Sequence, residues 1–474
     1  MTYHGSRLFS FVSDSIGLPL DQLNFLISQI FAIIFGLLFR ANLKPCPQNT
    51  LKRHLVGFLV GILLGHFCYG DQMWHLFLQG FVCYIALQFC PRKYVHLVTF
   101  VFSMGYLSAL HIYRLFYDYG NYTLDISGQM MVATQKLTSL AFAYYDGMRK
   151  FEDLNEDQKT QAINDCPHMI EFLGYVFNFQ GIIVGPLCYY QDYIDFITGN
   201  NILKKQIKGA DGQESSIIVQ PSVTVVLVKK LLLTALLAAI FFKVTLVYPI
   251  SSNLLPEILE KGILYRFVYY YISASSQRVK YYLAWVLADA VNNASGLGFN
   301  GYDENGNAKW DLVSNVRILQ VEMSQSMKSS FDHWNTQTQL WLRRIAYDRL
   351  PTGKTLGVFV LSAFWHGFYP GYYLTFVLCA FLVYAGRGIR RKIRPFFLKN
   401  KLIKFFYDIF TWIFAIFAVN YSAASFDLME MEIAFKFYNS WYWCVHIVAI
   451  ILVVILPGGS TKKKKPLTEE IKKE

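Results

Sequence analysis

Long apolar runs recur along the chain from Asn24 to Leu456, separated by short polar turns. They come as blocks rather than as the period-2 alternation of a half-buried strand, and a block of about 20 mostly apolar residues suits a helix crossing a bilayer. In lipid every backbone N–H and C=O must be paired within the protein, which a helix achieves by itself. Of the 474 residues, 54% are hydrophobic and only 16% are charged, whereas an ordinary soluble domain carries about 25% charged residues. These features exclude a typical cytosolic enzyme, a disordered regulator and a fibrous repeat. They predict an all-α polytopic membrane protein.

The runs predict spans over Asn24–Phe39, Leu55–Tyr69, Trp74–Phe89, Val95–Tyr113, Met130–Tyr145, Met169–Tyr189, Val223–Tyr248 and Gly262–Ala274. Tyr281–Val291, Leu340–Tyr347, Thr355–Phe368, Gly371–Ala385, Phe405–Tyr421 and Tyr442–Leu456 complete the set. Several are too short to cross alone, so tilted, broken or re-entrant helices are expected where protein or a watered cavity surrounds them. The longest polar loops, Asp146–Pro167, Thr198–Ser222 and Gly301–Ser330, are too short to bury a core of their own. Residues 1–456 therefore read as one membrane-embedded domain and 457–474 as a basic tail. There is no internal repeat of the kind that builds a two-halved transporter.

The net charge of +12 is concentrated in a few places. Gly386–Lys404 carries eight basic residues and no acid, and the tail from Pro457 has six lysines against three glutamates. Such runs beside apolar spans are topology signals, and no soluble module offers itself to a nucleic acid. Lys462–Lys465 places the C-terminus in the cytosol, and Arg40, Lys44, Lys52 and Arg53 place the first loop there too. Tyr117–Asp125 is then lumenal and holds a candidate glycosylation sequon, Asn121-Tyr122-Thr123. The mid-chain parity stays open. Eight scattered cysteines without a CxxC pair form neither a disulfide framework nor a zinc site.

In an apolar chain the informative residues are the polar ones. His366 lies in Trp365-His366-Gly367-Phe368-Tyr369-Pro370-Gly371, with no acid or base within ten residues. Gly367 leaves one side of the helix open, and Pro370 interrupts it a turn later. Two readings stand together: a base that meets substrate, or a core histidine bonded to a carbonyl. His66, His111 and His446 also sit in apolar runs, and spacing alone does not separate them. A second stretch, Phe331 to Arg344, read as a helix, puts Phe331, Asn335, Thr338 and Leu342 on one face, suited to a polar cavity or to interhelical hydrogen bonds. His333 reads as a helix-start residue beside Asp332. A third, Tyr281–Gly301, reads as a re-entrant helix ending in a glycine-rich turn. No HExxH, P-loop or GxSxG motif occurs, and no acidic cluster lies in a span.

These three stretches resemble the membrane-bound O-acyltransferase (MBOAT) family, in its lysophospholipid acyltransferase branch. The most specific pieces are Tyr281–Gly301, Trp334-Asn335-Thr336-Gln337-Thr338 and Trp365-His366-Gly367-Phe368-Tyr369-Pro370-Gly371-Tyr372-Tyr373, within a match from Leu18 to Pro457. The resemblance implies an MBOAT fold of about eleven transmembrane helices around an intramembrane chamber. The family's histidine falls on His366 and its asparagine on Asn335, the two catalytic candidates. Phe331-Asp332-His333-Trp334-Asn335 replaces the FYxDWWN signature of the sterol and diacylglycerol branches, which argues against those substrates.

What the resemblance implies is acyl transfer from acyl-CoA to the free hydroxyl of lysophosphatidylethanolamine, lysophosphatidylserine or lysophosphatidylcholine, at sn-2 and from oleoyl donors. Acyl-CoA is a co-substrate; no cofactor and no metal is expected. A neutral imidazole, which burial favours, takes the hydroxyl proton as it attacks the thioester. Asn335 either orients that imidazole or donates to the developing oxyanion. Arg387–Lys404, or Arg343, Arg344 and Lys354, are candidates to meet the CoA phosphates, with lipid headgroup contact equally open for the first group. Residence in the endoplasmic reticulum membrane follows from the same resemblance. A protein or peptide O-acyltransferase and a lipid transporter or scramblase are the competing functions, and oligomeric state is open.

Overall fold

The computed structural model describes residues 3–120, 124–183, 185–202, 204–208 and 214–456. The candidate sequon at 121–123 and the tail at 457–474 lie outside the described residues.

After a short helix at Ser10–Ile16 come Leu20–Asn42 (α1), Thr50–Tyr69 (α2), Met73–Phe89 (α3), Val95–Tyr117 (α4) and Ile126–Asp146 (α5), which alternate in direction. Backbone and side-chain bonds gather their turns at two opposite ends. At one end, Arg53 Nη2 donates to Phe196 O at 3.1 Å and Arg92 Nε to Tyr144 O at 2.7 Å. At the other, Ser6 N donates to Phe67 O, Leu124 N to Asp21 Oδ2 and Ile126 N to Gln72 Oε1. The first is the basic end and the second the acidic end. α5 is the central post: Met130, Thr134, Leu137, Thr138 and Ala141 are all fully buried. Large apolar side chains such as Phe31, Leu38, Phe406 and Phe410 point outward, as a lipid-facing surface requires.

Met169–Tyr189 does not cross as one span. Met169–Phe177 (α6) is a nine-residue helix, about 14 Å long at 1.5 Å per residue. The chain then turns over and returns as Tyr190–Thr198 (α7). Asn178 ends α6 by donating to Tyr175 O at 2.7 Å while accepting from Gly181 N at 2.9 Å, and Pro186 blocks helical continuation. Lys136 on α5 reaches the carbonyls of Tyr175 and Val176 at 3.2 and 3.3 Å. Those are carbonyls that a helix C-terminus leaves without partners. This corrects the reading of Met169–Tyr189 as a span: the run enters and turns back as two short helices.

A short antiparallel hairpin, Lys204–Lys208 with Glu214–Ile218, is the one departure from helix that forms paired strands among the described residues. Thr224–Ile240 (α8) follows, and then Ile263–Ser295 (α9), a single 33-residue helix. It corrects the reading of two spans at Gly262–Ala274 and Tyr281–Val291. No glycine or proline interrupts Ile263–Ser295, and the polar residues between the two apolar halves are paired. Asn253 Nδ2 donates to Ser273 Oγ at 2.7 Å, Arg278 holds Glu322, and Lys280 holds Asp427. Gly296, at φ +96°, closes the helix, so the glycine-rich turn stands while the re-entrant reading of this stretch does not.

Met327–Phe331 (α10), Thr336–Leu342 (α11), Lys354–His366 (α12), Pro370–Lys392 (α13), Lys401–Leu428 (α14), Met431–Ser440 (α15) and Cys444–Ile455 (α16) complete the bundle. Among the described residues six helical segments are long and apolar enough to cross a membrane, seven with α15 and α16, which meet at 82°. One of the six, Pro47–Phe89, holds both α2 and α3 and folds back on itself: Phe177 packs on Phe58 and on Phe77. The remaining elements, α5, α9, α11 and α12 among them, are too polar or too short for that measure. The protein is a multi-pass helical membrane protein in which part of the traverse is made by broken helices.

Candidate active site

The Phe331–Leu342 stretch is not the continuous helix that its periodicity suggests. α10 ends at Phe331, the chain turns, and Asn335 adopts left-handed backbone at φ +48° and ψ +50° as the cap of α11. Asparagine is among the few side chains that visit this region readily. The turn is fastened to a neighbouring segment: Thr336 N donates to Asn315 O, Thr336 Oγ1 to Ser314 O, and Gln337 N to Asn315 Oδ1. His333 closes α10 instead of opening a helix, its Nδ1–H donating to Ser329 O at 2.9 Å.

α11 and the wider turn Arg343–Tyr347 carry the chain from Asn335 down to the basic end, and α12 carries it back up to His366. At the corner between them Arg349 holds Asp146 of α5. Thr338 is held at Gln135 and Trp365 at Met131, one turn apart on α5, so Asn335 and His366 lie on adjacent elements near the same turn of that helix. Trp341 and Trp365 join the limbs, ring centroids 5.7 Å apart. Both are tied to the central post: Trp341 Nε1 donates to Thr138 Oγ1 and Trp365 Nε1 to Met131 O. Gln135 adds a bond to Thr338 Oγ1 at 2.9 Å.

Around His366 the walls are aromatic. Its ring stacks on Phe376 at 5.3 Å and meets Phe426 edge-on at 5.1 Å and Tyr372 at 6.1 Å. Beside Asn335, Trp334 packs against Tyr281, Tyr282 and Trp285 at 5.7, 5.6 and 4.9 Å. His366, Phe376, Phe426, Trp334, Asn335, Tyr281 and Trp285 are only half-buried although rings from several helices enclose them. A gap borders them. Neither the His366 imidazole nor the Asn335 amide hydrogen-bonds to a protein group among the described residues, and no bond joins the two.

The other histidines are accounted for. His66 is exposed, His446 Nδ1 pairs with Tyr421 OH at 3.1 Å, and His111 Nε2 lies 3.1 Å from Trp365 O. A carbonyl only accepts, so His111 carries its proton on Nε2. Spacing alone does not reveal the role of this histidine, because its partner lies 254 positions away. Tyr372, Phe376 and Phe426 likewise carry no signal beyond being aromatic. Of the basic residues considered for CoA, Arg344 is held by Asp157 at 2.5 and 2.6 Å and lies 3.6 Å over the Tyr189 ring. Arg387 donates to Thr355 Oγ1. No group of three or more His, Cys, Asp or Glu side chains suited to a metal occurs among the described residues.

The chemistry this arrangement can perform is proton removal by an imidazole and polar stabilisation by an amide, both among aromatic rings. Comparison with known proteins agrees. The family model of MBOAT, the membrane-bound O-acyltransferase family, matches residues 111–424. The chain is 40% identical over 473 residues to human membrane-bound glycerophospholipid O-acyltransferase 2, covering 98% of this chain and 91% of that one. It is 39% identical over 460 residues to lysophospholipid acyltransferase 6 of Drosophila melanogaster, covering 96% and 64%. A lysophospholipid acyltransferase of Schizosaccharomyces pombe is 31% identical over 458 residues, covering 94% and 87%.

Proposed function

Because the chain belongs to the membrane-bound O-acyltransferase family, we propose that it transfers a long-chain acyl group from acyl-CoA to the free hydroxyl of a lysophospholipid and so remodels membrane phospholipids. The observation that carries this reading is the near full-length likeness to relatives named as glycerophospholipid and lysophospholipid acyltransferases. The acceptors proposed are lysophosphatidylethanolamine, lysophosphatidylserine or lysophosphatidylcholine, at sn-2 and from oleoyl-CoA. The setting proposed is the endoplasmic reticulum membrane with the C-terminus in the cytosol. No cofactor takes part.

The neutral His366 imidazole accepts the hydroxyl proton while the oxygen attacks the thioester carbonyl. General-base help of this kind is worth roughly 10²–10⁴ in rate. The C–O bond forms, the C–S bond breaks, and the proton leaves on the CoA thiol. Asn335 donates its amide N–H to the oxyanion of the tetrahedral intermediate. The absence of an Asn335–His366 bond among the described residues supports that role over orientation of the base.

The test is turnover by purified wild type and His366→Ala with oleoyl-CoA and a panel of lysophospholipids, read as diacyl product by mass spectrometry. Product from wild type and none from the folded variant is expected. Equal product from both refutes His366 as the base. No product from either, across several donors, refutes the reaction.

A further inference from the structure

The Lys280–Asp427 ion pair lies inside the bundle, where an ionisable residue is costly and marks function more often than stability. Lys280 Nζ stands 3.3 Å from Asp427 Oδ1, with side chains 29% and 13% exposed. The residues that flank the pair on α9 and α14 belong to the aromatic clusters around Trp334 and His366. Phe426, next to Asp427 on α14, stacks on Tyr372 at 4.3 Å and meets His366 edge-on at 5.1 Å. Tyr281, next to Lys280 on α9, packs on Trp334 at 5.7 Å, one residue from Asn335. Lys280 Nζ also lies 5.0 Å from the Tyr281 ring centre. The bridge is thus one residue along each helix from rings that pack on His366 and on Trp334.

A second ion pair of the bundle shows what a structural one looks like here. Lys230 Nζ and Asp289 Oδ2 meet at 2.5 Å, with Ser314 Oγ bonded to the same oxygen at 2.5 Å. Lys280–Asp427 is longer, and its lysine is more accessible than Lys230, at 29% against 17%. Opening such a bridge leaves one cation and one anion in a poorly screened site. A ligand that restores both must itself carry both charges. An acceptor with a phosphate and an amine meets that demand, the phosphate taking Lys280 and the amine taking Asp427, with Tyr281 and Tyr372 offering ring faces to the cation.

The geometry points to the Lys280–Asp427 pair as the headgroup subsite, selecting lysophospholipids whose headgroup is zwitterionic or carries an amine. This inference rests on the acyl-transfer reading. It adds a specificity device that the two catalytic residues do not supply, because they act at the glycerol hydroxyl.

The test compares lysophosphatidylethanolamine with lysophosphatidylglycerol of the same acyl chain, in wild type, Asp427→Asn and Lys280→Met. Wild type is expected to favour the amine-bearing acceptor in kcat/KM by roughly 10- to 100-fold, the worth of one hydrogen bond to a charged group. Asp427→Asn keeps a polar partner for Lys280 and brings that ratio close to one. Lys280→Met raises the KM of both acceptors and leaves the KM of acyl-CoA unchanged. A wild-type ratio near one, or an Asp427→Asn ratio equal to wild type, overturns the subsite. Should Asp427→Asn be inactive, thermal stabilisation by the two lipids replaces turnover: equal stabilisation supports the subsite and a retained preference overturns it. Absence of any product in wild type refutes the acyl-transfer reading itself, and is told apart by that control.

Discussion

His111 on α4 donates from Nε2 to the carbonyl of Trp365, the residue before His366, at 3.1 Å. That carbonyl belongs to the last turn of α12, where an intrahelical donor is lacking. His111 therefore fixes the end of the helix on which His366 stands, and under the proposed mechanism its part is to position that base. His111→Phe is expected to lower kcat about tenfold with the KM of acyl-CoA nearly unchanged, the loss following from a buried carbonyl left unpaired at about 1–3 kcal/mol. His111→Gln, which keeps a donor, recovers part of the rate. Steady-state kinetics beside a melting curve decide it. A fall in melting temperature with unchanged kcat in the surviving protein shows that the bond supports the fold alone.

Gly367 makes the sharpest demand on residue type near the site. Its φ of +120° lies where only glycine is comfortable, and a Cβ there would stand 3.2 Å from His111 Cγ and 3.3 Å from Nδ1. Gly367→Ala carries about 1–3 kcal/mol of backbone strain and a steric push on His111. We expect a lower melting temperature and turnover reduced tenfold or more. The double variant His111→Ala/Gly367→Ala removes the contact and keeps the strain, so it recovers only part of the loss in stability. Full recovery would place the whole effect in the contact.

How much of this was legible in the chain differs residue by residue. The helical membrane class followed from block hydrophobicity, and α1, α4 and α14 lie where their apolar runs do. His366 and Asn335 are singled out as candidates by the resemblance and not by spacing: spacing leaves His111 and His446 equal to His366, and the structure separates them only through long-range bonds. The broken elements are hidden from the sequence for physical reasons. Periodicity carried the helix straight through Asn335 because an asparagine in left-handed backbone leaves no mark on a hydrophobic pattern. The merger into α9 was hidden because partners distant in sequence, Glu322 and Asp427, pair the polar residues that seemed to divide two spans.

The corner below the site rests on Asp146 and Arg349. Arg349 Nη1 and Nη2 reach the two carboxylate oxygens at 2.9 and 2.5 Å, and the Asp146 side chain is only 5% exposed. Removing one partner of a buried pair costs about 3–5 kcal/mol, whereas replacing both by apolar groups is often neutral. Arg349→Met is expected to give little monodisperse protein by fluorescence-detected size exclusion. Asp146→Met/Arg349→Met is expected to recover much of it. Normal yield from Arg349→Met would show that the neighbouring Arg149, 3.6 Å from Asp146 Oδ1, is a sufficient partner.

Asn335 combines a backbone demand with a chemical role, and two substitutions separate them. Glycine enters left-handed backbone at no steric cost, whereas alanine there loses roughly 1–2 kcal/mol. Asn335→Gly therefore keeps the cap of α11 and removes only the amide, while Asn335→Ala disturbs both. If the amide donates to the oxyanion, both variants lose about 10²–10³ in kcat, and only Asn335→Ala also melts earlier. The KM for the lysophospholipid stays close to wild type in Asn335→Gly, because the bond forms in the transition state and not in the bound complex. Wild-type turnover from Asn335→Gly would mean that asparagine is present for its left-handed turn alone, and the oxyanion would then need another donor.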